Sequence, residues 1–245
     1  MKTKIFAHRG DKRDAPENTL IAFQKALELG VDGIETDVHL TKDRQLVIIH
    51  DESVERTTGH VGLVNDLTLA ELKQLNANLT HPELGIQSIP TLLELVECLN
   101  QGGFTGDLNL EIKTDHIHYQ GIEEMVVKFF ESHAHGFRLI YSSFNLATTE
   151  RMIELAPQVE TAGLMIYHYG AMRRLFNQRQ IRTFHPEVRI LMAHPLFSFH
   201  RYFRPWTVNQ KFEIAFCLRR HYRGLITDHP QLALQMRDRI QGADS

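Results

Sequence analysis

The feature that most constrains this chain is an alternation. Short segments of β-type composition recur along it, and helical patterns separate most of them. The strand candidates are Lys4 to His8, Gly33 to Val38, Leu108 to Ile112, Arg138 to Tyr141, Thr161 to Ile166, Arg189 to Met192, Phe203 to Thr207 and Gly224 to Thr227. Helical stretches are expected at Thr91 to Leu99, Ile122 to His133, Leu146 to Leu155, Ala171 to Arg179 and Gln210 to Arg220. A first amphipathic helix opens after Ala15 to Thr19, carries Leu20, Phe23, Leu27 and Leu29 at roughly helical spacing, and stops at Gly30. Such alternation predicts a parallel α/β fold, because a parallel neighbour needs a crossover. Eight strands with crossovers in 245 residues is the pattern of a single-domain (β/α)8 TIM barrel spanning residues 1–245.

Two segments strain that count. Leu46 to His50 is strand-like, but only a short turn separates it from the strand before, so an antiparallel hairpin is expected there. The gap between the candidates at 189 and 203 is short for a crossover. Residues 52–89 are turn-rich, with Thr57-Thr58-Gly59, His81-Pro82 and one short helix at Leu69 to Leu75. They read as an inserted cap over one end of the barrel.

The strands end in chemistry. His8-Arg9, Glu35-x-Asp37, His50-Asp51 and Glu111-x-Lys113 all close strand candidates, and in a barrel the C-terminal strand ends meet at one mouth. Glu35 and Asp37, two apart, face the same side of their strand. Adjacent carboxylates repel unless one is protonated or a cation lies between them. One reading is a set of barrel-mouth salt bridges. The other, favoured by the whole grouping, is an oxygen-only site made by Glu35, Asp37 and Glu111 that suits one divalent cation, Mg2+ or Ca2+, rather than zinc. His8 and His50 are the acid–base candidates, since imidazole titrates near neutrality. Arg9 and Lys113 are the phosphate-holding candidates. Glu17-Asn18-Thr19 reads first as a helix start, with a second option in which Glu17 orients Arg9. Phe144 and Trp206 follow strands at the same mouth, as an aromatic wall or as packing. His116, His118, His133 and His135 read as solvated; His194 and His229 are left open.

Net charge of −3 argues against a nucleic-acid partner, which calls for a basic excess. Cys98 and Cys217 sit in apolar helical runs and read as core residues, not as a disulfide. The apolar stretch after the N-terminal lysines is too short for a signal peptide, and no run approaches a membrane span, so a soluble, cytoplasmic protein is expected.

Nine strings in order, from residue 7 to 230, resemble the glycerophosphodiester phosphodiesterase family: Ala7-His8-Arg9-Gly10, Pro16 to Thr19, Gly33 to Val38, Val47 to Asp51, Ile89 to Leu92, Glu111 to Lys113, Ser143-Phe144, Trp206 to Asn209 and Ile226 to Pro230. The resemblance implies a phosphodiesterase barrel with Glu35, Asp37 and Glu111 as metal ligands, His8 and His50 as the acid–base pair, and Arg9 and Lys113 as phosphate contacts. A small glycerophosphodiester is the expected substrate, and the mechanism expected for these residues splits it to glycerol 3-phosphate and an alcohol through a cyclic glycerol phosphate. The stretch from Gly163 to Phe203 carries few of the family's signs, and His200 to Arg204 departs from its pattern. An exposed apolar run from Met192 to Phe203 would favour an acyl-bearing diester. The alternatives are therefore a lysophospholipid or teichoic-acid-type diester, a non-catalytic glycerophosphate-binding barrel, or another divalent-metal barrel such as a sugar isomerase.

Overall fold

The computed structural model describes residues 2–165, 183–193 and 202–242. The helix expected at Ala171 to Arg179 and His194 lie outside the described residues, as does most of the apolar run from Met192 to Phe203. The strands are β1 (Lys4–His8), β2 (Gly33–Leu40), β3 (Leu46–Ile48), β4 (Asp107–Ile112), β5 (Arg138–Ser143), β6 (Glu160–Met165), β7 (Thr183–Pro186) and β8 (Gly224–Thr227). They pair in the order β7-β6-β5-β4-β2-β1-β8, all parallel, with β3 antiparallel to β2 as the hairpin reading required.

The segment between β7 and β8 closes the ring. Phe203 and Trp206 bridge in parallel to Phe184 and Glu187. On the other side the amides of Gly224 and Ile226 donate to the carbonyls of Phe203 and Pro205. The expected strand at Phe203 to Thr207 thus fills the seventh position from β1 as a pair of isolated bridges, its ladder interrupted by Pro205, which has no N–H. The strand expected at Arg189 to Met192 is instead part of the helix Val188–Ala193, and the true strand is β7 just before it. A short apolar run carries no periodicity that separates strand from helix.

Inward-facing residues fill the barrel in layers. At the N-terminal ends, ion pairs form a floor: Lys4 and Arg138 meet Asp107 at 2.5 and 2.6 Å, and Arg204 and Arg223 meet Glu160 at 2.5 and 2.7 Å. Arg204, from the atypical basic stretch, is fully buried and is explained by this floor. Above it lie Phe6, Ile140, Ala162 and Ile226, with Trp206 packed against them. Gly33 leaves room for the Phe6 ring, since a Cβ there would fall 2.3 Å from it. The third layer is the polar mouth.

The outer helices obey their caps. Thr19 accepts from the amide of Ala22 to start the helix Leu20–Glu28, and Gly30, at φ +70°, ends it. Thr91 and Glu94 form a capping box for Leu92–Gln101. Their apolar faces join the main core between helices and sheet, where Cys98 is buried; Cys217 is buried in the core on the other side, and both are free thiols. Residues 52–89 carry the one-turn helices Glu55–Thr58 and Leu69–Leu72 and a separate cluster of Val54, Val64, Leu72, Ala77 and Ile89 against Val47 and Ile49. No helix among the described residues is long and apolar enough to cross a membrane.

Candidate active site

Parallel register brings the strand-end residues together. Asp37 lies opposite Glu111, His8 opposite Glu35, and Glu111 opposite Ser142. Glu35, Asp37 and Glu111 are buried, and each turns one oxygen to within 4.8 Å of the others'. Burial drives the Glu35 carboxyl well above the usual range, and the charges of Asp37 and Glu111 add to the rise. Burial also raises Glu111, against the pull of Lys113. At Asp37 the cost of burial is outweighed by His50, Arg9 and Lys113, which hold it low. Glu35 Oε2 and Asp37 Oδ1 are buried and have no hydrogen-bond partner. Unpartnered buried carboxylate oxygens converging in a thiol-free cluster fit a hard divalent cation.

Asn18 completes the support of Asp37. It sits at φ 55°, a backbone that asparagine tolerates, and donates to Asp37 Oδ2 at 3.0 Å while accepting from Thr36 Oγ1 at 2.7 Å. One oxygen of Asp37 is thereby spoken for and the other left toward the cluster.

The two histidines are held alike. His8 Nδ1 donates to Asp228 Oδ1 at 2.6 Å, and its Nε2 lies 3.8 Å from Glu35. Asp228 is fixed by Lys12 at 2.9 Å and by the Asn209 amide at 2.8 Å. Burial, then the neighbouring Arg9, brings His8 down to about 4 in spite of Asp228. His50 Nδ1 donates to Asp51 Oδ1 at 2.5 Å, and its Nε2 faces Lys113 Nζ at 3.5 Å. A carboxylate on Nδ1 holds the ring proton there and leaves Nε2 as the face that can take up or release a proton.

Lys113 pairs with Glu111 at 2.8 Å and stands 5.8 Å from the Phe144 ring centre. Phe144 and Trp206 meet edge to face at 5.4 Å, so Phe144 lies between Lys113 and a Trp206 that packs on the apolar layer below. Arg9 Nε lies 3.5 Å from Asp37, and Nη1 donates to Glu17 at 2.9 Å. Glu17 therefore does orient Arg9, and the reading of Glu17 as no more than a helix start is corrected. Against burial, Arg56 and Arg9 hold Glu17 down at about 2.

The sequence reading missed His39, Asp228 and Arg56. His39 is buried, its Nε2 donating to the carbonyl of His50 at 3.0 Å and its Nδ1 accepting from Tyr119 Oη at 2.9 Å. It is the third of the alternating set 35, 37, 39, so the two-residue strand period carried the signal. Of the other histidines, His116 and His118 are exposed as expected, but His133 is half-buried and stacked on Phe129 at 4.1 Å, and His135 is half-buried. His229 is on the rim, bonded to Arg13. A cavity of about 570 Å3 opens there between Arg13, Asn209, Phe212 and His229, and neither the carboxylates nor His8 and His50 line it.

Residues 8–232 match the model of the glycerophosphoryl diester phosphodiesterase family. The chain belongs to that family. A glycerophosphodiester phosphodiesterase of Caldanaerobacter subterraneus is 36% identical, the match covering 96% of this chain and 98% of that one. One from Bacillus altitudinis is 36% identical over 98% of this chain and all of its own. Among solved structures, an Oleispira antarctica phosphodiesterase in complex with its product sn-glycerol-3-phosphate superposes with a TM-score of 0.79 at 28% identity, covering all of this chain and 98% of that one. The chain is accordingly an enzyme of the glycerophosphodiester phosphodiesterase class on a TIM barrel.

Proposed function

We propose that this enzyme hydrolyses small glycerophosphodiesters to glycerol 3-phosphate and an alcohol, using His8 and His50 as an acid–base pair. One observation carries the reading: both imidazoles have Nδ1 tied to a carboxylate, Asp228 or Asp51, and present Nε2 to the carboxylate cluster, His8 toward Glu35 and His50 toward the Lys113 that pairs with Glu111. Glu35, Asp37 and Glu111 hold one divalent cation, Mg2+ or Ca2+. When bound, that ion lowers the pKa of a glycerol hydroxyl and offsets charge on the phosphate.

The residues of the chain do the rest. Arg9 and Lys113 grip the non-bridging phosphate oxygens and stabilise the charge that builds there. Phe144 and Trp206 wall the glycerol side, and residues 52–89 cap the mouth. One histidine Nε2 takes the proton of the glycerol 2-hydroxyl as its oxygen attacks phosphorus. The other gives its Nε2 proton to the departing alkoxide, leaving a cyclic glycerol phosphate. Water then opens the ring with the two proton transfers reversed, and both histidines return to their starting states.

The test is release of glycerol 3-phosphate from glycerophosphocholine after chelation, and after return of Mg2+ or Ca2+. Release restored by one of the ions supports reaction and site together. Release only from a lysophospholipid or a polyglycerol phosphate would move the substrate class. No release from any diester, with glycerol 3-phosphate still bound, would leave a binding barrel.

A further inference from the structure

The geometry points to Arg56, on the inserted segment, as a positioning residue that sets Arg9 and His50 at the same time. This rests on the roles proposed above for those two residues. Arg56 Nη2 and Nη1 donate to the two oxygens of Glu17 at 2.7 and 3.0 Å, and its Nε donates to Asp51 Oδ2 at 2.5 Å. Each of those carboxylates has a second task. Glu17 Oε1 also accepts from Arg9 Nη1, and Asp51 Oδ1 accepts from His50 Nδ1. Arg9, Glu17, Arg56, Asp51 and His50 therefore form one unbroken chain from the phosphate grip to the acid–base group.

The chain of contacts solves a specific problem. Arg9 stands at φ 60° beside Asp37, with its Nε unpartnered and buried. Left alone, its guanidinium would close on the carboxylate trio. Glu17 draws Nη1 the other way, and the bidentate fork from Arg56 fixes where Glu17 can stand. On the other branch, Asp51 can hold the His50 ring only if its own rotamer is fixed, and the Arg56 Nε–H does that. A lysine could not satisfy both, since its ammonium has no planar fork.

A merely structural role predicts something different. The Arg56 side chain is 46% exposed, and ion pairs so placed add little stability. Without Arg56 the carboxylates of Glu17 and Asp51 are not left without a cation or donor nearby, since Arg9 and His50 remain beside them, but nothing then fixes their rotamers. Arg56→Gln and Arg56→Lys should thus unfold within about 3 °C of the parent yet lose about 10–100-fold in kcat/KM, the cost of misplacing reacting groups by about an ångström. Arg56→Gln should also be non-additive with Glu17→Gln and with Asp51→Asn, because all three break one chain.

Two measurements on the full chain decide the matter without turnover. Calorimetric binding of glycerol 3-phosphate reports the Arg9 branch, and the His50 ring nitrogen signals report the other. The expected result in Arg56→Gln is weaker product binding together with loss of the hydrogen-bonded Nδ1–H signal of His50. Unchanged product binding and an unchanged His50 signal would overturn the inference. A parent enzyme that releases nothing from any diester would overturn the proposed function alone, because both measurements would still read the positioning.

Discussion

His8 Nδ1 stands 2.6 Å from Asp228 Oδ1, joining the end of the first strand to the residue after the last across 220 positions of sequence. The pairing gives Asp228 one job, to keep the proton on Nδ1 and the lone pair on Nε2. In Asp228→Asn the side-chain amide can turn its NH2 toward Nδ1, which moves the ring proton to Nε2, where it faces Glu35. We expect kcat to fall by at least about 10²-fold with little change in KM, because only proton transfer is affected. A KM effect with normal kcat would place Asp228 in substrate binding instead.

The unpartnered oxygens of Glu35 and Asp37 make cation binding a stability question as well. An ion present at about 100 times its Kd stabilises by about 2.7 kcal/mol, a rise of about 5–10 °C for a chain of this length. Mg2+ or Ca2+ should raise the melting temperature of the chelated enzyme by that order, and Asp37→Asn should abolish the rise. In chelator, Glu35→Gln should melt above the parent, since it removes a charge that burial and two neighbouring carboxylates oppose. An Asp37→Asn enzyme that gains as much from the ion as the parent would sink the trio as the site.

Much of this was legible in the sequence, for an identifiable reason. Glu35-x-Asp37 and Glu111-x-Lys113 announce a shared face by spacing alone, and strand ends converge in any barrel. β7 was not legible, because Thr183-Phe184-His185-Pro186 is short and ends in proline while the apolar run after it is helical. The partners of the reactive groups were hidden for a different reason. Asp228 meets His8, and Arg56 meets Glu17, only through chain closure and the folding-back of residues 52–89, which no local period encodes. His39 was readable by alternation, but what it holds, the His50 carbonyl, lies on the far side of a hairpin.

His39 supports His50 from below through a carbonyl, which can only accept, so its Nε2 is the donor. Gln at this position reaches with an amide nitrogen in nearly the same place. His39→Gln should stay within a few-fold of the parent in kcat, whereas His39→Leu should lose about 10-fold or more through a displaced His50. Tyr119→Phe leaves His39 Nδ1 buried and unpaired and should cost about 1–3 kcal/mol of stability. Equal losses for Gln and Leu would assign the effect to packing.

The barrel floor predicts a pH dependence of folding separate from that of catalysis. His185 is fully buried beside Arg204, Glu160 and Arg223, with Nδ1 unpartnered, and burial followed by Arg204 brings it from 6.5 to about 3. The unfolded chain takes up this proton as pH drops below 6.5, and the folded chain resists until about 3, so stability is lost on acidification through that window. Glu160, held at about 2 by Arg204 and Arg223 against its burial, contributes stability above its usual range and loses it only below about pH 4.5. Between pH 6.5 and 4.5 the histidine effect is therefore isolated from that of Glu160, and it amounts to about 2 kcal/mol. Urea unfolding of the chelated enzyme at those two pH values should show His185→Gln losing less stability than the parent by that amount. An identical loss in parent and variant would mean that His185 is protonated inside the folded barrel, with Glu160 as its counter-charge.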